Sequence, residues 1–158
     1  MVEFKLTKEQ LLAQQMFRDF AETEIKPIAR DMDETEEFSM ELLEKMKKFG
    51  LMGIPYSKEY GGEGADVLTY TLCMEEMSKA DASTGITISV HTSLCCSCIN
   101  DFASEEQKQK FLRPLVDGSK VGCFGLTEPG AGTDASGVKT SAVLDGDHYI
   151  LNGQKVFT

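Results

Sequence analysis

The chain has 158 residues, 41% of them hydrophobic, which suits one ordinary globular domain with a real core and argues against disorder. With 16 Lys and Arg against 26 Asp and Glu, the net charge is -10, so no broad cationic surface exists to neutralise a phosphate backbone and nucleic acid is a poor expectation. Net charge limits surfaces rather than pockets, and a small anionic ligand held by backbone N–H groups and a few local cations stays open.

Apolar stretches are expected to break before the roughly 18 residues that a membrane span needs, and the N-terminus MVEFKLTKEQ has no basic-then-apolar signal segment. Both points imply a cytoplasmic protein without a membrane span. The cysteines, Cys73, Cys95, Cys96, Cys98 and Cys123, are odd in number, and three crowd into four positions, which favours reduced thiols over bridges.

Thr7 and Gln10 have capping-box spacing, and Leu11, Leu12, Met16, Phe17, Phe20, Ala21 and Ile25 form an apolar stripe for a first helix that Pro27 kinks or ends. Ser39 opens a second helix burying Leu42, Leu43, Met46 and Phe49, with Gly50 as its left-handed stop. Residues 54–64 hold too many Gly and Pro for a regular element and predict an ordered loop. Asp66 opens a third helix through Val67, Tyr70, Leu72, Cys73, Met74 and Met77. Residues 86–99 read as a strand by β-branched content but as a buried helix by length, and helix is preferred. Ser104 and Gln107 repeat the capping box before a last helix that buries Phe111, Leu112 and Leu115.

After Gly118 the pattern shifts to period two. Asp145-Gly146 and Asn152-Gly153 predict hairpin turns between strands at about 138–144, 147–151 and 154 onward. The fold class is therefore mainly α: a helical bundle over 1–118, then the start of an antiparallel β domain over 119–158 whose last strand looks truncated. No internal repeat or low-complexity segment is evident.

The sequence FGLTEPGAGTD, residues 124–134, runs a short apolar strand into a Gly-rich loop. Such a loop exposes backbone amides to a ligand while Thr127 and Thr133 add hydroxyls, although a surface turn needing Gly for its geometry fits equally well. Gly130, Gly132 and Ala135 match the dinucleotide spacing G-x-G-x-x-A, but the stretch after them leads to a strand where that motif needs a helix. Cys95 and Cys98 form a C-x-x-C with no second knuckle, and His91 reads as a satisfied buried histidine before a ligand. Met46, Met52, Met74 and Met77 read first as core filler.

Several ordered motifs together resemble the N-terminal part of an acyl-CoA dehydrogenase: Ile54-Pro55 with YGGEG at 60–64, SEEQK at 104–108 with Phe111-Leu112, LTEP at 126–129 with Gly132-Thr133-Asp134, and Asn152-Gly153 with Lys155. Ser89-Val90-His91-Thr92-Ser93-Leu94 and Gly125-Leu126-Thr127-Glu128-Pro129 are similar to the short-chain, butyryl-CoA type of anaerobic bacteria. The resemblance implies a helical N-terminal domain, a middle β domain and a C-terminal helical domain absent here, with FAD between the last two. It places Phe124, Leu126, Thr127, Gly132, Thr133, Phe157 and Thr158 at the cofactor, Thr127 on the isoalloxazine, and Thr133 near both the FAD phosphates and the acyl-CoA arm. Phe157 stands where many members have Trp, and Thr158 follows it directly where the family's hydroxyl usually comes two positions on.

The implied reaction is α,β-dehydrogenation of an acyl-CoA, with electron-transferring flavoprotein as partner and a homotetrameric parent. The catalytic glutamate belongs to the absent domain, and Glu128 is not promoted to that role. A non-enzymatic helical binding or oligomerisation module, or a thiol or metal module built on Cys95 and Cys98, are the alternatives from other classes.

Overall fold

The computed structural model describes residues 5–158, which form two compact units, one ending at Gly122 and one spanning Cys123–Thr158. In the first, α1 (Lys8–Phe20) starts at the Thr7 capping box, and a π-helical turn (Ala21–Ile25) joins it to α2 (Lys26–Thr35). Pro27 therefore does not end the helix. The wider turn has already interrupted the ladder, so the proline sits in the first turn of α2, where its missing N–H costs nothing.

The caps of the next helices follow the sequence. Ser39 accepts from the Leu42 amide to open α3 (Met40–Lys48), Asp66 accepts from Thr69 to open α4 (Val67–Ala80), and Asp81 accepts from Thr84 to open α5 (Ala82–Ser89). Residues 86–99 are helical: α5 continues through a π-helical stretch (Val90–Cys96) into α6 (Ser97–Phe102). The run Ala82–Phe102 is 21 residues long and apolar enough by composition to cross a bilayer, contrary to expectation. A core helix has the same composition, and Thr84, Ile88, His91, Thr92 and Cys96 are buried within this unit. The Ser104 capping box opens α7 (Glu105–Gln107), which runs through a further π turn (Lys108–Leu112) into α8 (Arg113–Val116).

The main core packs Phe17, Ile25, Leu42, Met46, Met52, Met77 and Ile88, and a second cluster gathers Tyr56, Tyr60, Cys96, Leu112, Leu115 and Val116. Leu11, Leu12 and Met16 are 52%, 64% and 48% exposed, so much of the expected stripe faces outward. Polar pairs set that rotation: Gln10 Nε2 donates to Asp66, and Gln14 and Arg18 donate to the buried Glu76 on α4. Phe49 and Phe111, also expected inside, are partly exposed. Phe49 packs against the Phe20 ring, 4.8 Å between centroids and tilted by 40°, and stays 38% exposed.

The second unit holds one antiparallel hairpin, β1 (Ser141–Asp145) with β2 (His148–Asn152), paired Asp145 to His148 at the turn. The turn residues are Gly146 and Asp147, and Gly146 alone takes positive φ, at 64°; the expected Asp145-Gly146 centre is off by one position. The third strand, from 154 onward, does not form. Gly153 makes no turn there; a Cβ on it would lie 2.8 Å from Thr140 Cα and also strike the Thr140 hydroxyl, so glycine serves close approach instead. All ten hairpin residues are exposed.

Candidate cofactor-binding site

Two arms of the second unit lie side by side. The Val156 amide donates to the Thr127 carbonyl at 2.9 Å, and Lys155 Nζ donates to the Leu126 carbonyl at 2.9 Å. A Cβ on Gly125 would sit 3.7 Å from Thr158 Oγ1. Thr127 thus has its backbone committed to the pairing, while its hydroxyl takes no part in it. From there the chain folds into a tight loop closed by reciprocal bonds, Glu128 N to Ala131 O at 3.0 Å and Ala131 N to Glu128 O at 3.1 Å.

Glu128 is the organiser of this unit. Its carboxylate, 7% exposed, accepts from the Lys139 amide (2.7 Å), the Thr140 amide (3.0 Å), the Thr140 hydroxyl (2.5 Å) and Lys155 Nζ (2.9 Å). One side chain therefore ties the loop to the segments before and after the hairpin. The Thr140 hydroxyl first, then the Lys139 amide and Lys155, hold its pKa down to about 2. So stabilised an anion is a poor proton acceptor, which accords with keeping Glu128 out of the general-base role.

Past the loop, Asp134 accepts from the Ser136 amide and hydroxyl and caps a three-residue turn (Ala135–Gly137), after which Val138 is extended. No helix opens on the Gly motif, so the pyrophosphate geometry of a doubly wound dinucleotide fold is not built here. Gly130 and Gly132 have no left-handed backbone, and a Cβ on either would meet nothing within 4 Å. Neither torsion nor crowding inside the chain calls for glycine at these positions. The bare backbone faces outward, as close approach of a ligand requires.

The structure gathers Leu126, Thr127, Phe157 and Thr158 on the paired arms, with Phe124 at their root and Gly132 and Thr133 on the loop. Phe124 and Thr127 are half-buried and the rest exposed. Phe157 holds a left-handed backbone, φ 57°, with its ring 98% exposed. Sequence reasoning missed the cross-link that shapes the site: Glu128, Thr140 and Lys155 are far apart in the chain, and no local spacing announces their meeting. The grooves of the helical unit, such as the one lined by Ile99, Phe102, Phe111 and Lys120, contain none of the candidate residues.

The other motifs lie in the helical unit. His91 is fully buried, its Nδ1 accepting from the Gly122 amide at 2.9 Å. Cys95 is half-buried and Cys98 exposed, and no group of three His, Cys, Asp or Glu side chains able to hold a metal occurs among the described residues. Met46, Met52 and Met77 are core residues, with Met74 packed against them.

Residues 7–119 match the family model "Acyl-CoA dehydrogenase, N-terminal domain", and the chain belongs to that family. It is 58% identical over 156 residues to the short-chain specific acyl-CoA dehydrogenase of Clostridium acetobutylicum, covering 99% of this chain and 41% of that protein. Butyryl-CoA dehydrogenase from Megasphaera elsdenii superposes with TM-score 0.90 at 43% identity, over 98% of this chain and 41% of that one. The Bacillus anthracis acyl-CoA dehydrogenase complexed with FAD gives 0.89 at 36% identity, over 98% of this chain and 27% of that one. The chain thus spans about two-fifths of the length of the short-chain relative from Clostridium.

Proposed function

We propose that the chain is the N-terminal part of an FAD-dependent dehydrogenase acting on short-chain acyl-CoA thioesters, or running the reverse enoyl-CoA reduction. In this reading 1–118 is the helical domain and 119–158 opens the middle β domain. The observation that carries it is the Gly130 and Gly132 pair, bare backbone with no reason inside the chain, on a loop braced by Glu128 in a member of this family.

The Thr127 hydroxyl would hydrogen-bond the isoalloxazine, with Phe124, Leu126, Phe157 and Thr158 flanking it and Gly132 and Thr133 toward the phosphates; Thr133 also meets the acyl-CoA arm. FAD, when bound, supplies the acceptor for the β hydride. A glutamate elsewhere in the parent takes the α proton, so that the two C–H bonds break and one C=C bond forms. Glu128 stays an anion throughout and holds the Thr127 loop in place. The parent works in the cytoplasm as a homotetramer and passes its electrons to electron-transferring flavoprotein, as the family resemblance supports.

Flavin absorbance of the purified whole protein tests this reading. We expect a bound-flavin spectrum bleached by butyryl-CoA. A colourless protein, unresponsive to FAD, would overturn it in favour of a non-enzymatic helical module.

A further inference from the structure

The helix through residues 90–96 carries a buried imidazole that no reaction step uses. His91 is 0% exposed, and its Nδ1 accepts the Gly122 amide at 2.9 Å, while Nε2 lies 3.5 Å from Cys96 Sγ. Gly122 has no room for a side chain. A Cβ there would lie 2.5 Å from Cys95 Sγ, 2.9 Å from Cys95 Cβ and 3.4 Å from Leu115 Cδ2. Two turns of one helix therefore grip a single residue, one by a hydrogen bond and one by contact. Gly122 closes the helical unit, and Phe124, the first candidate cofactor residue, is two positions further along the chain.

We infer that His91 is a positioning residue: its Nδ1 lone pair holds the Gly122 amide and so fixes the point from which the segment 124–133 leaves the helical unit. The bond requires the neutral ring with its proton on Nε2, because a protonated imidazole has two donors and nothing to offer an N–H. The groups facing the ring are the Cys96 thiol, the Gly122 amide and the carbonyls of Met52 and Leu115; no carboxylate contributes to its titration. Burial, the largest influence, lowers its pKa from 6.5 and the two carbonyls oppose this, so the neutral form prevails at physiological pH. A base with a depressed folded pKa contributes stability that is complete above its unfolded value and is lost as pH falls through the folded value. Acid thus releases the grip.

The experiment uses the 158-residue chain itself, so it does not depend on flavin. Long-range 15N spectra of the imidazole should show a bare Nδ1 and a protonated Nε2 at neutral pH, with a titration midpoint below 6.5. Asn places its carbonyl oxygen near the position of Nδ1, whereas Gln reaches toward Nε2. His91→Asn should keep the Gly122 amide within about threefold of wild-type exchange protection, and His91→Gln should lose tenfold or more. Proton on Nδ1, or equal Gly122 protection in the Asn and Gln variants with both chains folded by circular dichroism, would overturn the inference.

A second arm rests on the reading in the preceding section. In the whole protein His91→Gln should shed flavin several-fold faster than His91→Asn. Equal loss from the two variants would remove the link from Gly122 to the cofactor segment, whereas a wild-type parent that binds no flavin defeats the functional reading and leaves the Gly122 result standing.

Discussion

In the helical unit Ile25, Leu42, Met46 and Met77 exclude water from a continuous apolar core, whereas the unit 123–158 buries only Glu128 and Ala131 and is held by backbone pairing and by one carboxylate that gathers four donors. The two solutions suit different tasks. Apolar packing resists change but leaves its interior unreachable, while a carboxylate that gathers four donors can brace a loop from behind and leave its backbone amides facing out. Ile25, Leu42, Met46 and Met77 keep the helical unit folded, while Glu128 keeps the proposed ligand surface in shape.

The largest expected effect tests whether the second unit is sufficient by itself. Leu126, Gly132, Thr133, Phe157 and Thr158 are exposed, so they offer one braced surface and bury too little of a ligand to retain it alone. Mixed with excess FAD and desalted, the 158-residue chain should come out colourless and show no turnover of butyryl-CoA with an artificial electron acceptor. A retained flavin spectrum with turnover would mean that these arms form a whole site.

Next comes the core. Met46→Ala leaves a cavity at a fully buried position and should cost about 2 to 5 kcal/mol in urea unfolding followed by helical circular dichroism. Phe157→Ala, at a ring almost wholly in water, should stay within about 0.5 kcal/mol. Similar losses from both would erase the distinction between the units.

The caps at Thr7, Ser39, Asp66 and Ser104 were readable because a capping bond spans only three residues. The outward turn of Leu11, Leu12 and Met16 was not, because pairs from Gln10 to Asp66 and from Arg18 to Glu76 decide how α1 rotates on α4, and these join residues more than fifty positions apart. The same holds for the site. Thr127 and the loop glycines are proposed from local composition and family resemblance, but the Glu128 cross-link to Thr140 and Lys155 exists only after folding. The expected third strand failed because Asn152-Gly153 looks like a turn by composition alone, while Gly153 in fact makes room for Thr140.

Within the proposed ligand surface, Thr127→Ala in the whole protein removes a hydroxyl without touching the backbone bond to Val156. Leaving a buried flavin acceptor unpaired should weaken FAD retention or slow its reduction by about 1 to 3 kcal/mol, with the fold intact. Thr133→Ala should act instead on phosphate and acyl-CoA contacts, read as a raised KM. Wild-type flavin content and single-turnover reduction in the Thr127 variant would strike that hydroxyl from the site.

The smallest effect at neutral pH, and the most specific, concerns Glu128. Its folded pKa lies below its ordinary 4.5, at about 2, so its contribution is fully present above 4.5 and fades as pH falls from there toward about 2. The cause is assigned to particular donors, with the Thr140 hydroxyl the largest, and this makes the claim divisible. A 13C titration of the Glu128 carboxyl should give a midpoint near 2 in the wild-type chain. Thr140→Val, which keeps the backbone donors and removes the hydroxyl, should raise that midpoint and increase exchange at the Lys139 amide in mild acid, while helical circular dichroism should stay constant because Lys139, Thr140 and Lys155, the donors to this carboxylate, all lie in 123–158. If the midpoint did not move, the hydroxyl would be a bystander and the loop would be braced by backbone and Lys155 alone. If the helices melted in step with Glu128, the two units would share one cooperative structure, and the separation between packing and clamp would have to be abandoned.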